Sequence, residues 1–117
     1  RILFLSVRED AISILKASDI VVMSSNFEGF GLAAVEGMAA GKPVIASDVE
    51  GLSNIVEGAG LLFEPHNEKD LAAKIRLLME DQLFYKSVSE KCKQRSEKCD
   101  VSVMGNRYNQ LYQSLCR

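Results

Sequence analysis

SSNFEGFGLAAVEGMAAGKPVIAS, residues 24–47, passes from a turn through a helix into a strand within twenty-four residues. FGLAAVEGMAAG (30–41) is rich in alanine, the best helix former, and Gly41 is a good residue with which to end a helix. Pro43 then opens PVIAS, a strand by its apolar run, and proline is tolerated at a strand's first position. DIVVMSS (19–25), just upstream, is β-branched and reads as a second buried strand. The unit is strand, glycine-rich turn, helix, strand. Ala33, Ala34, Gly37 and Ala40 are small enough to let the helix sit close to the sheet.

The same alternation extends outward. RILFL (1–5) and AGLLFE (59–64) are short apolar runs that read as further strands. EDAISILKAS (9–18) carries helical spacing through Ala11, Ile12 and Leu15, and GLSNIVEG (51–58) reads as a short helix ending at Gly58. Asn67 is a candidate cap for a helix in which Leu71, Ile75 and Leu78 recur. Residues 81–99 put Phe84, Val88 and Cys92 on one stripe; residues 100–116 do the same with Val101, Met104, Tyr108, Leu111 and Leu115. Strands alternating with helices imply an α/β fold. The expectation is a parallel sheet of about four strands, helices on both faces and two helices at the end. Strands that are apolar throughout support burial on both sides.

In such a sheet ligands bind beyond the carboxyl ends of the strands. Ser24 and Ser25 end one strand, so NFEGFG lies at that rim. Gly29 and Gly31 allow a sharp turn and close approach of a ligand to the backbone. The helix that follows presents free amides and a positive dipole end, a site for an anion such as phosphate. Glu28 stands just outside that helix and Glu36 about one and a half turns inside it, with seven residues between them. Carboxylates accept hydrogen bonds from hydroxyl pairs such as those of sugars and ribose. A phosphate on amides and hydroxyls on two carboxylates together describe a nucleotide-sugar. The plainer alternative keeps Glu28 as a complement to the helix dipole, worth about 0.3–1 kcal/mol, and Glu36 as a solvated helix residue.

Composition narrows the classes. The chain has 117 residues, the size of one domain, with 14 basic and 16 acidic residues and a net charge of −2. That balance gives no basic footprint for nucleic acid. No apolar run is long enough for a membrane span, no signal peptide is visible, and Arg1 in place of Met points to a start further upstream. Cys92, Cys99 and Cys116 lack CxxC spacing and read as reduced cytosolic thiols. His66, the only histidine, reads as a solvated loop residue, and Tyr108 and Tyr112 as packing. Asp48 and Glu50 sit at the same rim, where turn chemistry explains them as well as acceptor contact does. Lys42 has no P-loop spacing around it.

EGFGLAAVEGMAAGKPVIAS closely resembles the E-x7-E signature of retaining glycosyltransferases of the GT-B fold, the glycosyltransferase group 1 family. ASDIVVMSS before it, EGLSNIVEGAGLLFEPHNEKDLAAKIRLLMED after it and RYNQLYQSL near the end fit the same family, so the resemblance covers nearly the whole chain. It implies that residues 1–117 are part of the C-terminal, nucleotide-sugar-binding domain of a two-domain enzyme. Glu28, as the catalytic-site acid, would contact hydroxyls of the donor sugar, and Glu36 would hold the ribose. The backbone around Gly29, Phe30, Gly31 and Leu32 would meet the sugar and diphosphate, and Val7 and Arg8 would approach the nucleobase. The implied reaction is glycosyl transfer with retention, as in polysaccharide biosynthesis, with a nucleotide-diphospho-sugar as substrate and neither metal nor other cofactor.

The resemblance also has gaps. The family's Arg and Lys phosphate clamp and its acceptor domain lie upstream of residue 1, so the chain alone is expected not to turn over. EGLSN departs from the usual Gly-Gly turn followed by a glutamate, with Asn54 where that acid often falls, and no contact is assigned to it. The expected location is the cytoplasm. The mixed-charge run 86–98 has only a modest basic excess, so peripheral contact with the inner membrane face ranks low. Two other classes stay open on the residues alone. One is a nucleotide-binding or receiver-like α/β domain without transfer chemistry. The other is a glycosidase with Glu28 and Glu36 as its acid pair.

Overall fold

A computed structural model of the chain describes residues 1–29 and 31–99. Phe30 and the helix expected over 100–116, with Cys116, Tyr108 and Tyr112, lie outside the described residues. Within them the order is α1 (Ala11–Ala17), β1 (Val21–Met23), α2 (Leu32–Ala39), β2 (Val44–Ser47), α3 (Ser53–Val56), β3 (Leu61–Phe63), α4 (Glu68–Glu80) and α5 (Gln82–Lys98). The three strands form one parallel sheet in the order β1-β2-β3. Val21 pairs with Val44 and Ala46 with Leu62. The fold is the α/β arrangement that the alternating pattern implies.

One strand expectation fails. Residues 1–5 form no strand, and Ile2, Leu3, Phe4 and Leu5 are exposed, Phe4 to 93%. A strand is held by its neighbour's ladder, and β1 pairs only with β2; no described strand lies beside 1–5. The sheet therefore has three strands among the described residues, not about four.

Burial follows the strand pattern. Successive side chains on a strand point to opposite faces. All four residues of β2 are buried, so helices cover both of its faces. On β1, Val21 is buried but Val22 is 39% exposed, so this edge strand is covered on one face only. The core joins Met38, Val44, Ile45, Leu52, Val56, Leu78, Val88 and Cys92. Burial of each larger aliphatic side chain in that set stabilises by roughly 1.5–3 kcal/mol. Phe84 packs on the same core, so the stripe expected on α5 is the one that is buried.

The helix ends are set by local chemistry. Gly41 is left-handed, with φ 77°. Its amide donates to Met38 O at 2.9 Å and that of Lys42 to Gly37 O at 3.2 Å. This is the double closure that a glycine just past a helix permits. Asn67 caps α4 as expected, its Oδ1 accepting from the Asp70 amide at 2.9 Å. A Cβ on Gly37 would meet the Val21 side chain at 3.1 Å, so this glycine lets α2 lie close against β1. Ala34 is fully buried, whereas Ala33 is exposed.

Candidate functional site

The carboxyl ends of the three strands converge on one rim. Ser24 and Ser25 follow β1, Ser47 ends β2 and Phe63 ends β3. The loop from Ser24 to Gly31 is fastened there by side chains. Ser47, 2% exposed, donates its hydroxyl to Ser25 O at 2.5 Å. Ser25 Oγ donates in turn to Glu28 Oε2 at 3.3 Å. Glu28 is therefore half-buried and tethered through two hydroxyls to the end of β2.

Gly31 begins α2 in the left-handed region, φ 72° and ψ 36°, a conformation that costs other residues about 1–2 kcal/mol. Its carbonyl accepts from Ala34 at 3.0 Å and Val35 at 3.2 Å, starting the helix at once. The other glycine of the turn differs. Among the described residues, nothing lies within 4 Å of where a Cβ on Gly29 would sit. Neither sterics nor φ demands glycine at 29; its effect is to leave the outer surface of the turn bare.

Glu36 is half-buried on α2 and lines a small groove of about 140 Å³ with Ile12 and Lys16 of α1 and with Ala39 and Ala40. Glu28 is not among the residues that line that groove, which lies along the second half of α2. Leu32 is the first residue of α2 and half-buried. Val7 and Arg8 are exposed in the segment that leads into α1. Arg8 forks onto Asp10, with Nε to Oδ1 at 2.7 Å and Nη2 to Oδ2 at 3.0 Å. That bond holds the Asp10 carboxyl below its ordinary value and the Arg8 guanidinium above its own.

A larger cavity, about 290 Å³, opens at the same rim between the β1 loop and the start of α4. Ser24, Asn26, Ser47 and His66 are among its lining residues. His66 is exposed and left-handed, φ 63°. Sequence reading placed His66 in a solvated loop and did not single out Asn26; the only signal for either was its position just past a strand. Among the described residues no group of three or more His, Cys, Asp or Glu side chains gathers as a metal site. No described helix is long and apolar enough to cross a membrane.

A parallel sheet with a glycine turn and a helix entrance at its carboxyl rim is a Rossmann-like arrangement, and it matches that of solved GT-B glycosyltransferases. The chain belongs to the glycosyl transferases group 1 family, whose sequence model matches residues 2–98. It is 34% identical over 111 residues to the N,N'-diacetylbacillosaminyl-diphospho-undecaprenol alpha-1,3-N-acetylgalactosaminyltransferase of Campylobacter jejuni, covering 93% of this chain and 30% of that protein. Anabaena HepE, solved with UDP-glucose, superposes with a TM-score of 0.83 at 30% identity over 97% of this chain and 32% of that one. The C-terminal domain of a group 1 glycosyl transferase from Francisella tularensis gives 0.73 at 30% identity, over 83% of this chain and 51% of that one. The chain spans about 30% of the length of the curated relatives it matches first.

Proposed function

We propose that this chain is the donor-binding part of a retaining glycosyltransferase acting on a nucleotide-diphospho-sugar. The observation that carries the reading is the bare turn at Gly29, set at the strand ends between a tethered carboxylate and the entrance of α2. Amides at a helix entrance suit a diphosphate. Glu28 would accept hydrogen bonds from donor-sugar hydroxyls. The backbone of residues 29–32, Phe30 included, would follow the sugar and diphosphate. Glu36 would accept from the ribose hydroxyls. Its groove is shared with α1, and Val7 and Arg8 lead into that helix, so the nucleobase would lie toward them. The UDP-glucose complex of HepE, similar over 97% of this chain, supports a nucleotide-sugar as ligand.

In the proposed reaction an acceptor hydroxyl attacks the anomeric carbon as its bond to the diphosphate oxygen breaks. The hydroxyl proton passes to a phosphate oxygen of the departing group, on the same face, so configuration is retained. Charge building on the diphosphate is met by backbone amides and by cationic side chains of the longer enzyme, without a divalent metal. The acceptor domain belongs to that longer enzyme, so the 117 residues bind donor without turning it over. The extent of the relatives, of which this chain spans about 30%, supports that division. A receiver-like domain without transfer chemistry is the weaker reading, since the family is one of transferases.

Calorimetric titration of the full-length protein with uridine, guanosine and adenosine diphosphates tests the proposal. One of the three should bind, and Glu36→Ala should weaken it by about tenfold or more, the loss of a charge-assisted hydrogen-bond pair. Binding unchanged in Glu36→Ala would remove the ribose role; no binding of any of the three would remove the donor site.

A further inference from the structure

The turn after β2 carries a glycine whose surroundings assign it a task. Gly51 has φ 94°, and a Cβ there would overlap the Glu28 carbonyl oxygen, well inside van der Waals contact. The same Cβ would lie 3.0 Å from the Glu28 carbonyl carbon and 3.3 Å from Gly29 O. All three are backbone atoms of the glutamate loop, which cannot swing aside as a side chain would. On the other flank of that loop, a Cβ on Gly31 would meet Leu52 Cδ2 and Ile55 Cδ1 at 3.1 Å and Gly51 O at 3.5 Å. The loop thus rests along the turn from Gly51 to Ile55.

That turn is a firm support. Val49 O accepts from Leu52 N at 3.1 Å and from Ser53 N at 2.9 Å. Leu52 is fully buried in the core. The support is fixed, so atoms added on it displace the loop.

We propose that Gly51 is a positioning residue for the donor site: its missing side chain sets where the Glu28 peptide and the start of α2 lie. The inference rests on the donor-binding reading of that loop. Gly51 itself touches no donor in this scheme; it acts through Glu28 and Gly29.

Three variants of the full-length enzyme separate the possible causes. Gly51→Ala adds both backbone strain and the Cβ. Gly51→Asn adds the same Cβ, but asparagine enters the left-handed region more readily, so strain is reduced. Gly41→Ala, at φ 77° with nothing within 4 Å among the described residues, adds strain without a contact there. If the Cβ displaces the loop, both Gly51 variants lower transfer by about 100-fold, as a shift of about 1 Å in a positioning group does. Donor KM rises, acceptor KM holds, and Gly41→Ala turns over like the parent.

Hydrogen exchange without any nucleotide gives a readout independent of activity. Peptides covering residues 24–29 exchange faster in both Gly51 variants and unchanged in Gly41→Ala. Should either Gly51 variant fail to fold, the parent protein still decides the matter. UDP, or whichever of the three diphosphates binds, slows exchange in 24–29 and in 48–53 together if the two segments form one unit. Protection of 24–29 alone, or a Gly51→Asn enzyme that behaves as the parent, overturns the inference. Loss of transfer in Glu28→Gln alongside a normal Gly51→Asn would reject the positioning role and keep the donor site. A parent without diphosphate binding would reject the donor site, and the nucleotide-free exchange of the variants would then decide the loop contact alone.

Discussion

Ser47 donates its hydroxyl to the carbonyl of Ser25 at 2.5 Å, joining the last residue of β2 to the loop that leaves β1. The two residues are twenty-two apart in sequence and adjacent at the rim. Because Ser25 Oγ reaches Glu28 at 3.3 Å, the bond also sets the distance of the first glutamate from the sheet. Ser47→Ala removes the donor without altering the packing of β2. The expected loss is about 0.5–1.5 kcal/mol of stability, the net worth of one hydrogen bond. Urea unfolding with an unchanged m-value checks it, and a variant as stable as the parent would show that the Ser25 carbonyl finds water at no loss.

Glu28→Gln keeps the shape and an oxygen that can accept from Ser25, and removes only the charge. If Glu28 accepts from donor-sugar hydroxyls, kcat/KM should fall about 10- to 100-fold, the difference between a charged and a neutral acceptor. The melting temperature should stay within about 2 °C, because Glu28 is only half-buried and, among the described residues, engaged by one long hydrogen bond. Steady-state kinetics with donor varied at saturating acceptor measures the effect. Full activity in the variant would leave Glu28 with no part in donor recognition.

Gly60 precedes β3 at a place where backbone runs against backbone. A Cβ there would overlap the Val44 carbonyl oxygen, lie 2.9 Å from Val56 Cγ1 and 3.3 Å from Val44 C. Val44 and Val56 are both fully buried, so neither has room to move. Gly60→Ala should therefore destabilise by about 1–3 kcal/mol, the usual range for overpacking a core. Gly29→Ala should be milder, because its φ is not left-handed and, among the described residues, nothing lies within 4 Å of a Cβ there. Parallel thermal melts of the two variants give the comparison, and equal losses would contradict it.

What could be read in the sequence was whatever local chemistry decides. Within the alanine-rich run, Leu32–Ala39 became α2, closed by Gly41, because small residues favour both the helix and its close seat on β1. Asn67 capped α4, and the stripe of Phe84, Val88 and Cys92 turned inward. Residues 1–5 misled because an apolar run signals burial without naming the neighbour that would bury it. Glu36 was legible as a carboxylate on the right helix, but not its groove with Ile12 and Lys16, which depends on how α1 crosses α2. Gly51 was unreadable in principle: nothing in EGLSN states that the carbonyl of a residue twenty-three positions earlier lies against it.

Cys92 makes stability depend on alkaline pH. Burial pushes its thiol above the ordinary 9.0, outweighing a backbone hydrogen bond from Val44 and the charge of Arg95, which pull the other way. In the unfolded chain the thiol ionises near 9.0, while in the fold it stays neutral to higher pH. Between those two values the unfolded state binds fewer protons, so stability is complete below pH 9 and declines as pH rises toward the folded value. The slope there is negative and bounded by about 1.4 kcal/mol per pH unit, the value for release of one whole proton. Tyr85, raised by burial and by Asp19 from its ordinary 10.0, acts in the same direction only at higher pH. Urea unfolding under reducing conditions at pH 8, 9 and 10 should therefore show a drop between the last two points. Cys92→Ala should flatten that drop while lowering stability at every pH through its lost packing, and a parent that is equally stable at pH 8 and 10 would mean the thiol ionises freely in the fold.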